Sequence, residues 1–220
     1  LGVANLFLVW RKLPETHPDI GKAGSASLLR AYAGLLPSRQ FLGYTFGGGC
    51  ATTSLYAFIA SAPFIFVEQL HRPEDEVGMY LSLLVSGVWL GNALCSRLLN
   101  VMSIKRILLM GNLIGMASVF VARAATLLGR ASLSAVLALM FVFMAGASMG
   151  SPASLTLAVS VNPQVIGSAS GLYGSFQMFV GAVCTVLAGL GSSPLLAAIL
   201  VMLGACVLSQ FALRSALNSV

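Results

Sequence analysis

Charged residues leave long stretches of this chain untouched. No Asp, Glu, Lys or Arg occurs from Gln40 to Val67, from Val77 to Ser96, from Ile107 to Ala122, or from Ala131 to Leu213. Each stretch holds at least one run of the roughly 20 apolar residues that cross a bilayer as a helix. The last is too long for one helix. Asn162-Pro163 and the run Gly191 to Pro194 cut it into three, because such sequences interrupt helices and mark turns. The pattern predicts spans near 41–67, 78–98, 105–128, 133–160, 165–189 and 194–213. The third reaches past Arg123, whose long side chain snorkels to the headgroups from near the helix end. The runs are continuous and do not alternate with period two, which argues against a barrel. The expected fold class is an all-α membrane protein, a six-helix transmembrane bundle with short connections between antiparallel neighbours.

Composition agrees. Of 220 residues, 58% are hydrophobic and 8% charged, where a soluble domain carries about 25% charged residues. The basic residues then set an orientation. With Arg39 inside and the spans alternating, Arg11, Lys12, Lys22, Arg30, Arg39, Arg97, Lys105, Arg106 and Arg214 face the cytoplasm, while Arg72, Arg123 and Arg130 face out. This asymmetry obeys the positive-inside rule. It accounts for the net charge of +6 without a nucleic-acid partner. Cys50, Cys95, Cys184 and Cys206 all fall within predicted spans and lack C-x-x-C spacing, so they read as small buried hydrophobes.

The opening "LGVANLFLVW" is apolar and is followed, not preceded, by its positive charges Arg11 and Lys12. A signal peptide has the reverse order. Residues 1–12 therefore read as the inner end of a helix that starts upstream, and 13–40 as a cytoplasmic linker feeding a bundle over 41–220. Pro14, Pro18 and Gly21 keep the first half of that linker irregular. From Ser25 to Leu36 the residues Leu28, Leu29, Tyr32, Leu35 and Leu36 share one face, as in a helix lying on a membrane surface.

Three segments carry a resemblance: "SLLRAYAGLLPSRQFLGYTFGGG", "YAFIASAPFIFVEQLHRPEDEVGMYLSLLVSGVWLGNALCSRLL" and "NPQVIGSASGLYGSFQMFVGAV". They resemble the C-terminal half of major facilitator transporters, closest to the bicyclomycin and chloramphenicol resistance (Bcr/CflA) branch of drug:proton antiporters. That family has twelve helices in two six-helix halves. The resemblance thus implies the end of helix 6, the central loop, and helices 7 to 12. It implies a multi-pass protein of the cell inner membrane whose partners are the lipid bilayer, a drug-like small molecule and the other six-helix half of the same protein. The proton gradient would be its energy source, with no bound cofactor. An importer of a small neutral metabolite and a non-transporting half-size membrane subunit are the alternative readings. Gly91, Arg97, Lys105 and Arg106 resemble a reduced copy of the family's basic loop between helices 2 and 3. The copy lacks the Asp and differs in spacing, so a gating role stands beside a purely topogenic one.

From Val77 to Val220 there is no Asp or Glu. Proton coupling needs a titratable group in the membrane, so an antiporter of this sequence would keep its proton carrier in the other half. Glu68, with His71 shortly after it, reads as an outer-surface anchor pair or as an outer proton-entry site. Uncharged polar residues recur on helix faces: Thr52 with Tyr56, Ser82 and Ser86 with Trp89, Ser170 and Tyr173 with Gln177. Such stripes line cavities or join helices. Gln177 is the leading substrate-binding candidate, followed by Tyr173, Tyr56, Phe176, Trp89, Asn92 and Thr52. A wall of aromatic and weakly polar groups suits flat lipophilic compounds and, with no Arg or Lys at mid-membrane, suits phosphates poorly.

The stretch "GASMG", Gly146 to Gly150, matches the G-x-S-x-G of serine hydrolases. That motif needs a strand, a turn and a base near the serine. Here Ser148 falls within a long apolar run, and the two histidines, His17 and His71, fall elsewhere, so no enzyme is expected. Read as G-x-x-x-G, the same letters let another backbone approach closely. The spacing recurs at Gly43/Gly47, Gly87/Gly91, Gly111/Gly115 and Gly167/Gly171. Pro152 frees a carbonyl one turn back, so Gly146, Gly150 and Pro152 mark a candidate helix pivot.

Overall fold

The computed structural model describes residues 25–218, together with Phe7 and Arg11. The readings of 1–12 as the end of a helix and of 13–24 as the irregular part of a linker lie outside the described residues, Phe7 and Arg11 apart. Ser25–Leu35 forms helix α1. The first span runs from Arg39 to Gln69 as α2 (Arg39–Thr53), α3 (Leu55–Pro63) and a π-helical turn, Phe64–Gln69. It is followed by α4 (Glu74–Leu98), α5 (Ile104–Leu127), α6 (Leu133–Ser160), α7 (Ile166–Gly189) and α8 (Pro194–Asn218). No strand occurs among the described residues. Among the described residues six helices are long and apolar enough to cross a membrane, and the chain is an all-α, multi-pass membrane protein. The spans match those expected from the charge pattern. The first and last run a few residues further, because helical hydrogen bonding continues beyond the hydrocarbon core while apolarity stops at it.

Local chemistry explains the helix ends. Ser38 accepts from the Phe41 amide at 3.2 Å and Ser132 from the Ala135 amide at 3.3 Å, satisfying amide donors that an α-helix leaves open at its start. Asn162 accepts from the Gln164 amide at 3.1 Å, with Pro163 opening the 3-10 turn before α7. Glu74, Asp75 and Glu76 occupy the first turn of α4 and Arg97 its last, each sign matched to the helix dipole. α5 stops at Gly129, whose φ of +65° suits a residue without Cβ. α8 has a cap borrowed from the first span. Gln69 accepts from the Leu195 amide at 3.0 Å while donating to the Ser193 hydroxyl at 3.0 Å.

Alternation of the spans gives the bundle two chemically different ends. Arg30, Arg39, Arg97, Lys105, Arg106 and Arg214 gather at one, called here the basic end. Glu68, Glu74, Asp75 and Glu76 gather at the other with Arg72, Arg123 and Arg130.

Glycine pairs bring the helices together. A Cβ at Gly111 would lie 2.6 Å from the Gly146 carbonyl oxygen, and one at Gly146 would lie 2.8 Å from that of Gly111, so the pairs Gly111/Gly115 and Gly146/Gly150 interlock α5 with α6. A Cβ at Gly87 would meet the Phe141 carbonyl of α6 at 2.9 Å, and one at Gly91 would collide with the Ala145 carbonyl. Gly91 thus lies within α4 as a packing residue, well before Arg97 in the last turn of α4 and Lys105 and Arg106 in the first turn of α5 at the basic end. Gly43 and Gly47 seat α8, with the Ala212 carbonyl 2.7 Å and the Leu213 side chain 2.6 Å from the Cβ positions. The fifth pair, Gly167/Gly171 on α7, meets nothing within 4 Å. Serine hydroxyls reinforce these seams by donating to backbone carbonyls of other helices. Ser209 donates to Gly47 and Ser154 to Tyr44, both at 2.7 Å, and Ser118 donates to Leu139. Such bonds average about 0.6 kcal/mol in membranes.

Gly91→Ala forces backbone off backbone and is expected to cost about 1–3 kcal/mol, read as a melting temperature lower by roughly 2–4 °C per kcal/mol in detergent. Gly171→Ala, which meets open space, is expected to melt as the parent does. Equal melting of the two variants would contradict the packing described.

Candidate functional site

A pocket of about 200 Å³ opens between the first span, α4, α6 and α7. Its polar lining comes from four spans: Thr52, Thr53 and Tyr56 of α2 and α3 in the first, Asn92 of α4, Ser148 and Ser151 of α6, and Gln177 of α7. Ser148 and Gln177 lie about halfway along their helices, so the pocket sits deep in the membrane.

Glycines create the room. Tyr56 leans on Gly181 of α7, where a Cβ would lie 2.6 Å from its ring, and the next contact down the seam is Gly49 against Gln177, at 3.6 Å from Cβ position to Cα. On α6 the glycine pair turns one face to α5. Ser148 and Ser151 lie around the helix from it, by the 3.6-residue period, and face the pocket.

The hydrogen bonds separate two kinds of polar residue. Thr52 donates its hydroxyl proton to the Gly48 carbonyl at 2.7 Å, and Thr53 does the same to Gly49. Committed in this way, the Thr52 oxygen turns lone pairs to its neighbour and accepts from the Gln177 side-chain amide at 2.8 Å. The nitrogen of Gln177 is therefore fixed on Thr52, and its Oε1 is left as an acceptor with no donor among the described residues. Tyr56, Asn92, Ser148 and Ser151 make no side-chain hydrogen bond to any described residue. Pro152 adds to this set. It has no N–H, so the carbonyl it deprives of a helical donor is that of Ser148. At the helix seams Ser118, Ser154 and Ser209 return their protons to backbone carbonyls. Here hydroxyls and carboxamide groups stand uncommitted around one space.

Of the candidates expected to touch substrate, Thr52, Tyr56, Asn92 and Gln177 come together at this pocket. Trp89 sits beside Val88, which does line it, but is itself 73% exposed on the outside of α4. Tyr173 is buried nearer the basic end, with its hydroxyl against Gly48 and beside Ser154. Phe176 packs on Phe46 with ring centroids 4.9 Å apart, away from the polar lining. Ser82 and Ser86 bond back to carbonyls of their own helix. Reading the sequence missed Ser148 as a lining residue, although its place one turn before Pro152 and off the Gly146/Gly150 face signals it. Thr53 and Ser151 were missed too.

No residue lining the pocket is a His, Lys, Arg, Asp or Glu, so Ser148 has no base beside it. Among the described residues no three His, Cys, Asp or Glu side chains group as a metal site. Gly146 and Gly150 lie at the α5 contact and Pro152 within the unbroken helix α6. Glu68 and His71 are exposed at the acidic end, His71 with a φ of 50°. No family model matches the chain, and no curated protein matches it significantly.

The division between committed and uncommitted hydroxyls is testable by accessibility. Ser151→Cys is expected to react with a small charged methanethiosulfonate reagent in membrane vesicles, and Ser154→Cys, whose parent residue is fully buried, to stay unmodified. The four native cysteines are buried and give a low background. Labelling of both sites, or of neither, would contradict an open polar pocket.

Proposed function

We propose that this chain forms one six-helix half of a secondary transporter of the major facilitator kind, and that the transporter exports lipophilic, drug-like molecules in exchange for protons. The observation that carries this reading is the uncommitted polar pocket deep in the membrane, walled without a single formal charge. A group of hydroxyls and amides with no ionised partner offers hydrogen bonds to neutral or weakly polar molecules and gives nothing to neutralise a phosphate or carboxylate. The Gln177 Oε1 receives a donor from substrate, the Tyr56 ring offers a flat apolar face, and the Ser148 and Ser151 hydroxyls supply adaptable donors.

The surroundings of the pocket support the same reading. α4 and α7 flank it and are the least buried spans, at 28% of their apolar windows against 44% or more for the others. On their outer faces they carry Asn92, Trp89 and the open Gly167/Gly171 pair. A face that mixes a carboxamide with bare glycine backbone is poorly suited to lipid and well suited to a second bundle packed across the pocket. The substrate would then lie between two halves, as alternating access between bundles requires. Proton coupling would rest with the other half, since the pocket has no titratable acid or base. In this arrangement the basic end faces the cytoplasm, the protein resides in the cell inner membrane, and Arg97, Lys105 and Arg106 mark the inner loop.

The decisive experiment expresses the complete reading frame in an efflux-deficient host and follows accumulation of a fluorescent lipophilic compound, with and without a protonophore. Lower accumulation that the protonophore abolishes is expected. Gln177→Ala, at equal membrane abundance, is expected to weaken export by about tenfold, the loss of one good buried hydrogen bond of roughly 1.4 kcal/mol. Energised uptake in place of export would favour an importer of a neutral metabolite. No transport at all from the complete frame would favour a non-transporting subunit.

A further inference from the structure

A second and larger concavity lies on the opposite side of the seam between the first span and α7. It is a groove of about 540 Å³ walled by α2, α7 and α8. Its walls carry no side-chain oxygen or nitrogen, and their softest members are the thiols of Cys50 and Cys184. The thiol of Cys206 lies within electrostatic range of both. Phe46, ring-packed on Phe176, stands at the end nearer the basic side. The walls on α7 and α8 run over residues 179–187 and 200–208, about 12 Å along each helix at 1.5 Å per residue.

Three fillers are conceivable for such a space within a membrane. Water finds no polar partners there, and an apolar cavity of this kind stays dry. A void forfeits the dispersion contacts of every atom that lines it. A neighbouring helix, about 10 Å across with its side chains, is too broad for a cleft of this volume. What remains is a single flexible hydrocarbon chain. The rim favours it too. Phe179 is 64% and Leu208 63% exposed, so the groove is continuous with the apolar outer surface that six membrane spans present to lipid.

The geometry points to a bound acyl chain of a membrane phospholipid in this groove, held between α7 and α8 against Cys50 and Cys184. This is more than ordinary lipid contact, because the chain lies below the level of the surrounding helices and takes the place of protein core. It also lies directly behind the candidate site. Val180 lines the groove while Gln177, one turn earlier on α7, lines the polar pocket, and both press on Gly49. The assignment does not depend on the transport reading.

Gly204 provides the test. It lines the groove, and a Cβ there meets nothing within 4 Å, so the side chain of Gly204→Phe starts in open space and extends into the groove. The complete protein is reconstituted in phosphatidylcholine vesicles doped with a phospholipid carrying a diazirine on its acyl chain. It is then irradiated, and the adducts are mapped by mass spectrometry. Adducts are expected on Val183 and Leu208 in excess of those on Phe120, an α5 side chain that is 64% exposed on the outer surface. Gly204→Phe is expected to lose the groove adducts and keep those at Phe120. If that variant fails to insert, Gly204→Ala, a smaller filling, is expected to reduce the same adducts in part. Adducts of equal density at the groove and at Phe120, or groove adducts unchanged in whichever variant inserts, overturn the assignment.

Discussion

Backbone-to-backbone approach is the constraint on which this structure rests. Lipid is as apolar as the helices that cross it, so nothing like the hydrophobic effect in water drives those helices together. What remains is van der Waals packing and the few hydrogen bonds that close contact allows. At Gly111 and Gly146 two glycines face each other's carbonyls across α5 and α6, at Gly87 and Gly91 α4 rests on α6, and at Gly43 and Gly47 α8 rests on α2. Each contact is too close for a side chain. The serine-to-carbonyl bonds at Ser118, Ser154 and Ser209 follow from that proximity, since a hydroxyl on so short a stem reaches a neighbouring helix only when the axes are near.

The same constraint defines the candidate site. Where helices touch, the hydroxyls of Ser118, Ser154 and Ser209 are used up by the backbone. Where they part, between α4 and α7, polar side chains stand free. Thr52 sits on the border and takes part in both. It donates to its own helix and, in doing so, becomes the acceptor that fixes Gln177. One threonine hydroxyl thus decides which end of a carboxamide faces the pocket.

How much of this could be read from the chain depended on the physics behind each signal. The six spans were legible because burial of charge in hydrocarbon is so costly that its absence marks every crossing. The glycine pairs were legible in kind, and four of the five turn out to be seams. Nothing in Gly167/Gly171 distinguishes it from the others, since spacing records that a helix can be approached and not that it is. Helix faces were harder. In a soluble protein polarity separates inside from outside, but a helix in lipid is apolar on both sides, and the stripes lose their direction. Thr52, Tyr56, Asn92 and Gln177 were found through their chemistry. Tyr173 and Phe176 share their helix with Gln177 but turn to Gly48 and Phe46, a matter of rotation that only the neighbouring helices fix.

The tight seam between α2 and α8 has a topological consequence. Those helices are the first and last of the bundle, and they meet at Gly43 and Ala216 near the basic end, so the start of the first span and the end of the last lie side by side at one end of the bundle. At the opposite end Gln69 clasps the start of α8, fastening the same two spans a second time. The first and last crossings are therefore among the most firmly joined, while α4 and α7, on either side of the polar pocket, are not packed on each other. A polypeptide attached at either end departs from the same end of the bundle without having to cross the bilayer again.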